Sequence, residues 1–186
     1  MIRHSLPRSS ARRRLLIGVA GWLAGGTKTI ESQAKEMAMT TKTMTLWQAI
    51  DALARQIPFS KLKVQSVLLT DLIERENPSN ELFQFYRSNP IELMEGVKIT
   101  NVDLRIKRSD AHPGFMVLNI DGACVTLNQV RAHYGGLEIT DTPRGRSLDD
   151  VTSYTTKLSW GELSFSFKER KPECLASIAF DPKKAG

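Results

Sequence analysis

Cysteine and histidine are scarce in this 186-residue chain, with two of the first and three of the second. His4 lies near the start, which leaves His112 and His133 for the rest of the chain. That scarcity excludes the zinc patterns built from four closely spaced Cys or His. No H-E-x-x-H, C-x-x-C, G-x-S-x-G, Walker or G-x-G-x-x-G pattern occurs, so the metal sites, nucleophile elbows and phosphate cradles they encode are not signalled. No apolar run reaches the roughly 18 residues that mark a membrane-spanning helix. Aromatic residues make up only 7% of the chain.

Hydrophobic residues, at 41%, are nevertheless enough to bury a core, so wholesale disorder is excluded. The formal net charge of +6 would suggest a nucleic-acid binder if it were spread over the fold. It is not. Residues 1–26 hold Arg3, Arg8, Arg12, Arg13 and Arg14 and no acid; removing those five from 26 basic residues leaves 21 against 20 acids, a net of +1. The basic excess belongs to the N-terminus, and no nucleic-acid partner is expected.

Residues 1–26 follow the layout of an export signal: a cationic head, a short apolar segment over residues 15–24, and a small, polar exit at Gly25-Gly26-Thr27. Arg12 and Arg13, followed after one residue by Leu15-Leu16, resemble the twin-arginine motif, although Ala11 stands where Ser or Thr is usual. A general secretory signal, a mitochondrial transit peptide, an uncleaved anchor and a true start at Met37, Met39 or Met44 remain alternatives. The apolar segment falls well short of a bilayer span, so no stable membrane anchor is expected after processing. Residues 27–44 are polar and aperiodic and read as a flexible connector, leaving 45–182 as a single domain.

Thr45-Leu46-Trp47-Gln48 has the form of a capping box, and Leu46, Ile50, Leu53 and Ile57 repeat on one helical face up to Pro58. Ser60 caps a second expected helix, with Val64, Val67, Leu68 and Ile73 on its buried side and an end near residues 74–76. Beyond residue 82 the period changes. Residues 82–86 read as a short strand. In 97–106 the apolar parity switches at Thr100-Asn101, which requires a bulge. Asp103, Arg105 and Lys107 then fall on the wet face. Residues 115–120 are apolar at nearly every position, the mark of a strand covered on both sides.

A second capping box at Thr126-Leu127-Asn128-Gln129 predicts a short helix that stops before Gly135-Gly136. Strands are expected at 137–140, at 163–167 with clean alternation, and at 174–180. The predicted class is α+β: two N-terminal helices packed on a mainly antiparallel sheet of about five to six strands, with one short inserted helix.

Cys124 and Cys174 form the most informative pair. In an oxidising compartment they predict one disulfide tying the last strand to the middle of the domain, worth about 4 kcal/mol by the chain-entropy estimate. Two buried thiols are the cytosolic alternative. Asp110 and His112 could share a metal, but two ligands do not make a site, and no cofactor is expected. Glu74/Glu76 and Asp149/Asp150 read as solvated surface acids. In the polar loop 141–150, Arg144 and Arg146 stand near Tyr154 and Trp160, residue types that anchor interfaces; an ordinary exposed loop with Trp160 in the core is the alternative.

These readings converge on an exported, periplasmic or secreted, non-catalytic module whose partner is another protein. In layout (leader, compact domain, one cystine) it resembles periplasmic immunity proteins of bacterial toxin systems, which implies an inhibitor that blocks a toxic or hydrolytic partner. An envelope accessory or small-ligand-binding protein, and an enzyme with dispersed residues, are the alternatives.

Overall fold

A computed structural model of the chain describes residues 44–108 and 112–183. Arg12 and Arg13, the rest of the leader and nearly all of the connector lie outside the described residues.

Helix α1 (Leu46–Ala54) opens with a full capping box: the Thr45 hydroxyl accepts the Gln48 N–H at 3.2 Å, and the Gln48 side chain accepts the Thr45 N–H at 2.9 Å. Its apolar face buries Leu46, Ala49, Ile50 and Leu53. Ser60 caps helix α2 (Lys61–Leu68) by accepting the Lys63 N–H, and Val64 and Leu68 face inward. This helix stops earlier than its sequence suggests, at Leu69 with φ 49°. The residues beyond it leave the helical path, and Ile73, expected on the buried side, is 48% exposed.

Nine strands follow: β1 (Leu72–Arg75), β2 (Phe83–Ser88), β3 (Ile91–Glu92), β4 (Val97–Lys107), β5 (Phe115–Gly122), β6 (Glu138–Asp141), β7 (Val151–Leu158), β8 (Gly161–Lys168) and β9 (Leu175–Pro182). Helix α3 (Leu127–His133) lies between β5 and β6 in sequence. All form one antiparallel sheet ordered β1-β2-β4-β5-β9-β8-β7-β6, with β3 also on β4. Two meanders are thus sewn together where β5 meets β9.

This overturns the expected architecture of two N-terminal helices on a five- to six-stranded sheet. The mixture of helix and strand stands, but among the described residues a nine-stranded sheet dominates and the three α-helices are short. The excess strands have specific origins. β1 was absorbed into a helix because Ile73 falls at helical spacing; β3 is too short to show a period. β7 hides because Ser153, Thr155 and Thr156 are buried in place of apolar side chains. Their hydroxyls are satisfied laterally: Ser153 pairs with Ser166 at 2.8 Å, Thr155 with Ser164 and with Thr140 at 2.7 Å, and Thr156 donates to the Gly135 carbonyl.

The parity switch near Thr100 is a register shift between Ile99 and Asn101, so Val97, Ile99, Val102 and Leu104 all reach the core. They join α1, α2, Val130 of α3 and the inward residues of β5, β8 and β9 in one cluster, with Phe165, Phe180 and Leu118 fully enclosed. Where β4 begins beside the end of β5, a Cβ on Gly122 (φ +85°) would stand 2.3 Å from the Gly96 carbonyl, so this crossing requires glycine.

Candidate functional site

Strand β5 decides where the unusual surface lies. Its nearly continuous apolar run suggested burial on both sides, but only Met116, Leu118 and Ile120 are buried in the core. Phe115, Val117 and Asn119 point to the opposite face. The expectation of a doubly covered strand is therefore corrected, and the apolar surplus on the outer face needs another account.

That account begins with register. Phe85 of β2, Arg105 of β4 and Phe115 of β5 are successive cross-strand partners on the outer face. The Arg105 guanidinium carbon lies 5.8 Å from the Phe85 ring centroid and 5.4 Å from that of Phe115, so one cation is shared by two rings. Two residues along β4, Asp103 grips the same guanidinium with contacts of 2.9 and 3.3 Å. Hydrogen bonding to that carboxylate raises the Arg105 pKa beyond its already high ordinary value. Arg105 is thereby held in place by a carboxylate that also faces Arg87 at 4.0 Å.

Phe83, on the same face of β2, lies 6.4 Å from Phe85 and meets His112 edge-on at 5.8 Å. The backbone N–H of Gly114 donates to His112 Nδ1 at 3.1 Å. Together with Asn80 and Asp181 these side chains surround a basin of about 240 Å³. Asp181 is exposed, and its carboxylate has no ion pair or hydrogen bond among the described residues. Phe83, Phe85 and Phe115, with Val117 on the same face of β5, form a partly exposed apolar patch around Arg105.

Cys124 and Cys174 are joined, with Cα atoms 5.0 Å apart across a separation of 50 residues. The bond pins the segment after β5 to the start of β9 and walls a second, open groove of about 410 Å³. Lys168, Arg170 and Lys171 stand at its far side. Asp149 binds Lys168 at 3.1 Å and also Arg170, so much of this positive charge is already answered. The same contacts, with the Lys168 hydrogen bond foremost, hold the Asp149 carboxyl below its ordinary range.

The four residues singled out as a partner surface do not converge. Arg144 and Arg146 are exposed; their backbone amides both donate to Asp150 at 3.1 Å, which shapes the loop and leaves their guanidinium groups without a partner among the described residues. Tyr154 is half-buried, edge-on to Phe167 at 5.8 Å. Trp160 stacks on the core residue Phe180 at 6.0 Å. Strand β7 separates the arginine loop from Trp160 by roughly 25 Å at the usual strand rise. His133 stacks on Trp47 on the helical side, far in role from any basin. Asp110, the suggested companion of His112, lies outside the described residues, and among the described residues no group of three or more His, Cys, Asp or Glu could hold a metal ion. No described helix is long and apolar enough to cross a membrane.

No family model, no curated protein and no solved structure matches this chain. The site therefore has to be read from its own geometry. Phe83, Phe85, Phe115 and Asp181 carry no site signal in the sequence, and Arg105 stands out there only as a wet-face position. What signal there is lies in β5, whose second apolar parity, Phe115 and Val117, stays partly exposed among the described residues.

Proposed function

We propose that this chain is an exported, non-catalytic protein-binding module that docks a partner through the outer face of its sheet, with the aromatic basin as the anchor. The role fits an inhibitor or immunity-type protein that covers the working surface of a toxic or hydrolytic partner. The observation that carries the reading is the Phe85–Arg105–Phe115 row on the outer face: two partly exposed rings sharing one guanidinium, set on neighbouring strands. The disulfide supports the exported setting, since such bonds persist in oxidising compartments.

One observation favours an enzyme instead: His112 and Asp181 line the same basin. Among the described residues no hydroxyl or thiol side chain lines it with them, and the His112 Nδ1 is already engaged by a backbone amide. Among the described residues neither a nucleophile–base pair nor a pair of working carboxylates is assembled there.

The test has two arms. A reporter fused behind residue 26 should be found outside the cytoplasm. A photo-crosslinking side chain at Asn80, on the basin rim, should give one discrete protein adduct in intact cells, whereas the same group at Leu62, 78% exposed on α2, should give none. A reporter retained inside, or equal adducts at both positions, would overturn the proposal.

A further inference from the structure

The geometry points to the chemistry of the group that enters the basin: we infer that it takes a single aromatic side chain carrying one ring donor, tryptophan or tyrosine, from the partner protein. This rests on the partner-binding reading above and specifies what that reading leaves open.

Size comes first. At about 240 Å³ the basin is smaller than the roughly 300–1,000 Å³ of pockets that enclose drug-sized ligands, and it suits one large side chain. Shape comes second. Phe85, Arg105 and Phe115 lie side by side across three strands, and Phe83 and His112 meet at 84° beside them, so an entering ring finds a guanidinium plane, ring faces and ring edges. Flat π-systems gain from those contacts where an aliphatic group gains only area.

Charge decides between the remaining candidates. A basic side chain would be pushed away by Arg105, and an acidic one by Asp181. Asp103 holds Arg105 but also faces Arg87 at 4.0 Å, so the guanidinium keeps part of its positive charge beside Asp181 and neither sign of charge is favoured. Asp181 is the unanswered group: it is an acceptor without a donor, and its cross-strand neighbour is Glu162, another acid. A neutral ring with one N–H or O–H supplies that donor and brings no charge. Phenylalanine would fill the space and leave Asp181 unanswered.

Titration of the purified protein, read by NMR on the phenylalanine ring signals, tests this with N-acetyl-tryptophanamide, N-acetyl-tyrosinamide and N-acetyl-phenylalaninamide as probes. The first two should move the signals of Phe83, Phe85 and Phe115 and bind about three- to tenfold more tightly than the third, the usual worth of one hydrogen bond. Asp181→Ala, at an exposed position where folding is not at stake, removes the acceptor and should weaken the tyrosine and tryptophan probes by that factor while leaving the phenylalanine probe unchanged. Phe115→Ala should weaken all three. Equal binding of the three probes, or shifts that map to the groove beside the disulfide, would sink the inference. Success here with no crosslink at Asn80 would instead sink the partner reading and leave the chemistry of the basin standing.

Discussion

Trp47 and His133 stack with ring centroids 4.0 Å apart and planes inclined by 22°. The contact joins α1, the first described helix, to the end of α3, the helix inserted between the two meanders. Tyr134 adds to it, tilted against Trp47 at 6.3 Å and donating its hydroxyl to Asp51 at 3.5 Å. Trp47→Ala should cost about 2–4 kcal/mol, because the ring is only partly buried, and His133→Ala about 1 kcal/mol. A double-mutant cycle in urea should return a coupling of about 0.5–1.5 kcal/mol; additivity would show that the stack contributes nothing of its own.

Tyr134 gives this clamp a pH dependence. Burial, then the nearby Asp51 charge, then the hydrogen bond to Asp51 all favour the neutral phenol, so its pKa is raised well above the ordinary 10.0. A folded-state pKa above the unfolded one means that the native state holds a proton the unfolded state has lost. The corresponding stability is complete below pH 10 and declines as pH rises from there towards the folded-state value. Unfolding midpoints measured across that alkaline range should fall more steeply for the natural protein than for Tyr134→Phe; parallel curves would remove Tyr134 as the cause.

The Cys124–Cys174 bond closes a loop of 50 residues. Replacing both with serine should lower stability by about 4 kcal/mol, or less if the reduced chain keeps residual structure. Reductant should reproduce the loss in the natural protein and do nothing further to the double variant.

At Gly161, φ is +152° and a Cβ would lie 2.3 Å from the Asp181 carbonyl oxygen, where β8 and β9 close against each other. Backbone atoms cannot step aside as a side chain can. Gly161→Ala should therefore destabilise by more than about 2 kcal/mol. Gly135, with nothing within 4 Å of its Cβ position, should accept alanine within about 0.5 kcal/mol. Thermal unfolding of the two variants side by side makes the comparison.

Some of this structure is written locally. Thr45 with Gln48 and Thr126 with Gln129 each place a side-chain oxygen three residues from the amide it must satisfy, so both helix starts can be read from four residues. The bulge after Ile99 follows from the same kind of argument, since two parities must face one core. The strands that escaped notice are those whose burial is satisfied sideways. Thr155 is buried because Thr140 and Ser164 answer its hydroxyl from neighbouring strands, and no window along the chain contains that fact.

The basin divides in the same way. The chain itself fixed that Phe115 and Phe85 each fall out of phase with a core residue beside them, Met116 and Tyr86. The β2–β4–β5 register then put Arg105 between their rings, and the pairing of β5 with β9 placed Asp181 at the rim. Capping and alternation depend on residues a few positions apart, whose geometry the backbone dictates. A surface assembled from β2, β4, β5 and β9 depends on strand order, and strand order is settled only when the whole sheet closes over its core.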